Sequence, residues 1–161
     1  MSCSGRGRGK RWSLAAELGV RPLLEMNDQA QERIVRAWHA LPAECRRVPA
    51  SANEIAAIER DFGPIPTDYR WFLETCGGGT VGSQWLDDVR ELRRSHEKFQ
   101  QEAIPGGWTM TNVFLLGWDG SGNPLVIDLT TGRVLVEDHT FGGVHTVADS
   151  FEAFLMSGLV E

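Results

Sequence analysis

The sequence is poor in the features that most readily betray an activity. It holds three cysteines, Cys3, Cys45 and Cys76, odd in number and widely scattered. That pattern argues against a disulfide framework and for a reducing compartment. No apolar run approaches the roughly 20 residues that cross a bilayer. The first bases are followed by no apolar stretch of the secretory kind. A cytoplasmic protein without membrane association is the expectation. There is no G-x-S-x-G elbow, so a serine hydrolase of that type has no support. Bases are also missing where acids are not: from Asn112 onward Arg133 is the sole Lys or Arg against seven acids.

What is present is ordinary in bulk and uneven in detail. A chain of 161 residues, 42% hydrophobic and 24% charged, suits a single globular domain with a real core. Four of its 16 bases, Arg6, Arg8, Lys10 and Arg11, lie in the acid-free tail "MSCSGRGRGKR", which leaves 12 bases against 22 acids elsewhere. Such a body repels nucleic acid and suits a cationic partner. The tail is the one place where nucleic acid could be touched. Its Gly/Arg composition, with nothing apolar to offset ordering entropy, reads as a flexible leader over residues 1–26. A single domain over residues 27–161 follows. Met26 directly precedes a helix start and could serve as a downstream translation start.

A short helix is expected within "RWSLAAELGVRPLLE". Asn27 caps a helix to about Leu41, with Ala30, Ile34 and Trp38 on one stripe and Pro42 ending it. Ser51-Ala-Asn-Glu54 is a capping box ahead of Ile55, Ile58 and Phe62, and Gly63-Pro64 stops that helix. Thr67 or Asp68 is expected to cap a helix carrying Tyr69, Phe72 and Leu73. Another spans about Asp88 to Glu102, with Val89, Leu92, His96 and Phe99 on one face. From Val113 the period becomes two. Phe114, Leu116 and Trp118, then Leu125, Ile127 and Leu129, then Val134 and Val136, suggest a meander. A two-residue turn at Thr131-Gly132 would set Leu129 opposite Val134 and Ile127 opposite Val136, sending Asp128 and Glu137 to the other, solvated face. A last helix carries Phe151, Phe154 and Leu155, with Asp149 and Glu152 placed for its cap. Helices, then strands, then a helix make an α+β fold: N-terminal helices on a mainly antiparallel sheet, with a C-terminal helix. Trp38 and Trp71 are expected in the core, and Trp85, Trp108 and Trp118 at glycines or loop edges.

Each chemical reading of this chain meets an obstacle. Asp119-Gly-Ser-Gly-Asn123 resembles the opening of a calcium loop, yet Pro124 holds the place of its glycine and Thr130 that of its glutamate. A phosphate loop would need a lysine and a following helix. A hairpin turn needs only residues that favour turn conformations, and these do. Cys76 falls at a helix C-terminus, where the macrodipole disfavours a thiolate. His96 lies on an apolar stripe, and His39 has no partner nearby. His139 and His145 flank "TFGGV" without a third ligand, so neither a metal site nor a hydrolase is supported there. No catalytic, cofactor or metal residue is assigned.

Three segments in order carry a resemblance: "EIAAIERDFGPIPTDYRWFLETCGGG", "FLLGWDGSGNPLVIDLTTGRV" and "VADSFEAFLMSGL". Together they resemble the SUKH superfamily of small α+β domains over about Ser51 to Leu159. The shared pattern is an acidic helix ending in Gly and Pro, a Tyr-x-x-Phe-Leu helix ending in a glycine pair, a glycine-rich turn, a strand ending in Asp-Leu, and a Ser-Phe-Glu-x-Phe-Leu helix. Ser121 stands among the turn glycines, and Cys76 stands where an asparagine is usual. The resemblance implies a non-enzymatic binding domain. In bacteria that means an immunity protein neutralising a cognate, nuclease-type toxin; the alternative is a regulatory or scaffold domain of the cell-wall-regulator type. No binding residue carries over from the family. The charge pattern makes Asp119, Asp128, Glu137 and Asp138 the candidate contacts for a cationic toxin, with Trp85 and Trp118 as anchors.

Overall fold

A computed structural model describes residues 25–103 and 107–159. Of the flexible leader expected over residues 1–26, residues 1–24 lie outside the described residues, as does nearly all of the short helix expected at 11–25; Met26 is described and is buried, 4% exposed. Among the described residues, five α-helices and two antiparallel sheets give the α+β architecture expected. In chain order these are α1 (Asp28–Ala40), α2 (Ala52–Phe62), α3 (Thr67–Cys76), β1 (Gly79–Val81), β2 (Gln84–Leu86), α4 (Val89–Glu102), β3 (Val113–Trp118), β4 (Pro124–Asp128), β5 (Val134–Glu137), β6 (Val144–Ala148) and α5 (Phe151–Ser157). The strands β1 and β2 form a small hairpin; β3 to β6 form a meander in sequence order.

Local chemistry explains the helix starts. The Asn27 side chain accepts the Ala30 N–H, and Ser51 and Glu54 complete their reciprocal box. The same box recurs at Asp88 and Glu91. Two caps differ from expectation. Pro66, which has no side-chain acceptor to offer, precedes α3, because Asp68 turns away to accept the Met26 N–H (2.8 Å). Ser150, not Asp149, caps α5, since its hydroxyl reaches the Ala153 N–H, and Glu152 binds Asn27 instead.

One core joins the helices to the sheet. Ile34, Ile55, Tyr69, Phe72, Leu73, Leu92, Phe114, Ile127 and Leu155 are almost fully buried in it. Each such side chain contributes about 1.5–3 kcal/mol by leaving water. Trp38 and Trp71 pack at the margin of this core rather than inside it; Trp38 also carries the Arg46 guanidinium over its ring, 5.6 Å from the centroid.

The β4–β5 register differs from the two-residue turn. Ile127 faces Val134 and Leu125 faces Val136. The loop is longer because the Asp128 carboxylate accepts the Thr130 and Thr131 N–H groups, and Asp128 and Arg133 close it by a backbone bond of 2.9 Å. The slip is two residues, an even number, so each side chain keeps its face. Leu129 is left half-exposed in the loop. Glu137 does point away from Val136, but it is not solvated. It is 7% exposed and accepts the N–H of Thr109 and Met110 and the Thr109 hydroxyl, which hold that segment against the sheet.

Candidate partner-binding face

The three turns of the meander begin alike. Asp119 Oδ1 accepts from Ser121 and Asn123 (both 2.8 Å), Asp128 Oδ1 from Thr130 (2.7 Å) and Thr131 (3.2 Å), and Asp138 Oδ1 from Thr140 (2.7 Å) and Phe141 (3.0 Å). A carboxylate at each corner satisfies N–H groups that the ladder leaves unpaired. Burial pushes the Asp119 carboxyl up, but the Asn123 amides and the Ser121 and Gly122 N–H groups outweigh it and hold it below the usual range. The Phe141 and Thr140 N–H groups do the same for Asp138. The Asp119–Asn123 stretch is thus a turn whose Asp119 carboxylate faces inward to the turn itself.

Alternation along a meander puts the β3–β4 and β5–β6 turns at one end of the sheet and the β4–β5 turn at the other. Asp119 and Asp138 therefore share an end, tied together by the His139 N–H donating to Asn123 Oδ1 (3.0 Å). Asp128 stands at the far end, where Arg133 pairs with Asp149 (3.5 Å).

Trp85, Trp118 and Asp119 meet in one groove of about 580 Å³, floored by Leu125, Val136 and Phe154. The β1–β2 hairpin is the wall that carries Trp85. It can sit there because Gly82, at φ +58°, lies against the end of α5: a Cβ would stand 1.9 Å from the Gly158 carbonyl oxygen. The Ser83 N–H donates to that same oxygen (2.9 Å). Trp85 is left 51% exposed. Each tryptophan already holds a cation of this chain: Arg47 lies 5.3 Å from the Trp85 ring centroid and Lys98 Nζ 4.0 Å from that of Trp118.

A second hollow of about 410 Å³ lies beside the first, lined by Glu102, Trp108, Glu137, Asp138 and His139. Aromatic rings bridge the two. Trp118 and Trp108 have centroids 6.0 Å apart, and Trp108 and His139 6.4 Å. Trp108 Nε1 donates to Glu102 (3.0 Å).

Other polar candidates are spent structurally. Cys76 is fully buried, and burial pushes its thiol up to about 12. His96 lies between the Phe62 and Phe114 rings, and burial brings it down to about 4. His145 Nε2 faces the Gly142 carbonyl. Among the described residues no three His, Cys, Asp or Glu are grouped to hold a metal ion, and no helix is long and apolar enough to cross a membrane.

This frame, with α2 leading into a glycine-ended α3, a small hairpin, α4, a meander and α5, also matches a known family at sequence level. The family model described as SMI1 / KNR4 family (SUKH-1) matches residues 49–157, well over half of the chain. The chain belongs to the SMI1/KNR4 family. No curated protein matches it. The matched span takes in α2 through α5 and nearly every wall of both hollows; α1 precedes it. SMI1/KNR4 domains are generally non-catalytic and fit roles as immunity proteins, which bind toxins, or as cell-wall-regulator-like domains.

Sequence reasoning did not find the groove floor, the β1–β2 hairpin, or β6. It also passed over Phe141, 89% exposed on the β5–β6 turn. The one available signal was local: an aromatic followed by Gly142-Gly143 between two histidines.

Proposed function

We propose that this SMI1/KNR4 domain is a non-enzymatic, cytoplasmic immunity protein. It binds a cognate bacterial toxin domain, cationic and nuclease-type, and silences it by covering its surface. The observation that carries this reading is the convergence of Trp85, Trp118 and Asp119 on one groove, Trp118 and Asp119 lying in the part of the chain, from Asn112 onward, where acids outnumber bases seven to one. Tryptophans flanking an apolar floor are suited to anchor a partner. Carboxylates at the rim speed the encounter with a basic surface, which an antidote needs before damage begins. Asp138 and the second hollow extend this face. Glu137 lines the second hollow but has its carboxylate occupied by Thr109 and Met110, and Asp128 stands at the opposite end, so this reading does not use either as a contact.

The test is co-expression with a toxin domain encoded beside this protein, read by growth and by copurification. Growth rescue with a stable complex supports the antidote reading. Failure against every neighbouring candidate sinks it and favours the second reading, a regulatory scaffold. The acid-free basic tail motivates that alternative. Removing residues 1–24 separates the two: an antidote keeps its partner, whereas a tail-dependent regulator loses its own.

A further inference from the structure

The two edges of the meander are finished differently. Along β3, the Asp87 N–H donates to the Leu116 carbonyl (2.9 Å), and α4 packs against the strand. Along β6, β5 is the only strand partner among the described residues. Val144 to Val147 are exposed throughout, Val144 at 44% and Val147 at 47%, with Phe141 nearby on the turn. Edge strands are usually blunted by lysine, proline, inward-pointing charge or a bulge. The segment "HTFGGVHTVA", residues 139–148, has no lysine, proline or carboxylate, and the bulge at Val147 is its one such device.

The edge is also continuous with the groove. Leu135 faces Thr146 and Val134 faces Ala148, so the bulge between them leaves Val147 without a partner in β5. Val147 is one of the residues lining the groove. Carboxylates bracket the strand, Asp138 before it and Asp149 after it, the latter with an 86% exposed side chain. The only base placed among them is Arg133. A second copy pairing antiparallel about Thr146 would bring its own Asp149 toward Asp138, a like-charge approach at both ends. An extended basic segment meets Asp138 at one end and, at the other, Asp149, which it would share with Arg133.

We infer that β6 is a docking edge for an extended, lysine- or arginine-rich segment of the partner, which adds as a fifth strand antiparallel or parallel to β6 while its apolar residues lie on the groove face at Val147. Main-chain hydrogen bonds supply the affinity, and alternate side chains the selectivity. The proposal deepens the toxin-binding reading and rests on it for the partner's identity, not for the chemistry of the edge.

The experiment uses the full chain, isotopically labelled, titrated with the probe peptide acetyl-Lys-Val-Lys-Thr-Lys-Val-Lys-amide and with its glutamate counterpart. Amide resonances of residues 144–148 should move with the lysine peptide and not with the glutamate one. Val144→Lys combined with Val147→Lys should weaken the lysine peptide on the order of ten-fold or more. Val48→Lys, at a 63% exposed site, adds half that charge elsewhere and should change little. Thermal melts confirm that the variants stay folded. Movement confined to other residues, or equal binding of both peptides, overturns the proposal. So do concentration-dependent shifts of β6 without peptide, which would mean a second copy. Peptide binding on β6 without toxin rescue leaves the edge standing and removes the antidote reading. Rescue and an undiminished toxin complex in the double lysine variant do the reverse.

Discussion

Asn27 and Glu152 lie 125 residues apart in sequence and are joined twice: the Asn27 backbone N–H donates to one carboxylate oxygen (2.9 Å) and its side-chain amide to the other (2.8 Å). The same Asn27 caps α1 through Ala30 (3.0 Å). One residue thus starts α1 and ties it to the first turn of α5, although α1 precedes the family-matched span.

Glu152→Ala should therefore lower stability by about 1–2 kcal/mol, a charge-assisted pair at a partly exposed site. Urea unfolding measures it, and a double-mutant cycle with Asn27→Ala should show coupling. Additive effects would mean that α1 docks by apolar packing alone.

Glycine matters where the hairpin meets α5. Gly82→Ala puts a Cβ into the Gly158 carbonyl, with the backbone already at φ +58°. We expect a loss of about 2–4 kcal/mol and a shift in Trp85 fluorescence as the groove wall moves. Gly120→Ala has nothing within 4 Å and should stay within about 0.5 kcal/mol of the parent. Equal stabilities would refute the close approach.

The charge of the proposed binding face can be removed at Asp138 without breaking its turn. In Asp138→Asn the amide oxygen still accepts the Thr140 and Phe141 N–H groups, whereas a lysine there would lose both. Association with a cationic toxin at low salt should slow several-fold, and its salt dependence should flatten. Asp128→Asn changes the charge equally at the far end and should leave the rate nearly unchanged. Stopped-flow kinetics separates the two, and equal slowing would show that only net charge matters.

Two buried groups oppose each other in pH dependence. Asp87, 7% exposed with Oδ2 unpartnered, is raised by burial to about 6, despite the Ser95 hydroxyl. Its folded form holds the proton more tightly than the unfolded one, so its contribution is present below about pH 4 and is lost as pH rises toward 6. His96 is lowered to about 4 by burial. Its unfolded form binds the proton first, so its contribution is lost as pH falls from about 6.5 toward 4. Each spans on the order of 2–3 kcal/mol, and across pH 4–6 they largely cancel. Asp87→Asn should expose a fall in stability on acidification over that window, and His96→Leu a rise. Slopes from urea unfolding at several pH values decide it; parallel slopes in all three proteins would contradict this account.

Much of the architecture is decided over three or four residues, and so can be read from the chain. Ser51 and Glu54 close their box within one turn, Gly63 and Gly77 stop α2 and α3, and the Asp119 carboxylate satisfies the backbone of its own turn. Apolar periodicity placed Phe72, Leu92 and Phe114 in the core because burial follows the helical or strand repeat. Where alternatives were close in local energy, tertiary contacts chose. Asp68 and Glu152 could each have served a helix start of their own, but they bind Met26 and Asn27. Glu137 looked solvated on alternation alone, and only the path of Thr109 and Met110 buried it. The family pattern, visible in the sequence, determined the family of this domain, and the charge pattern beside it carries the proposal of a cationic partner. Which residues share a groove was decided by the fold, because Trp85 reaches Trp118 and Phe154 only once Gly82 lets the hairpin lie against the end of α5.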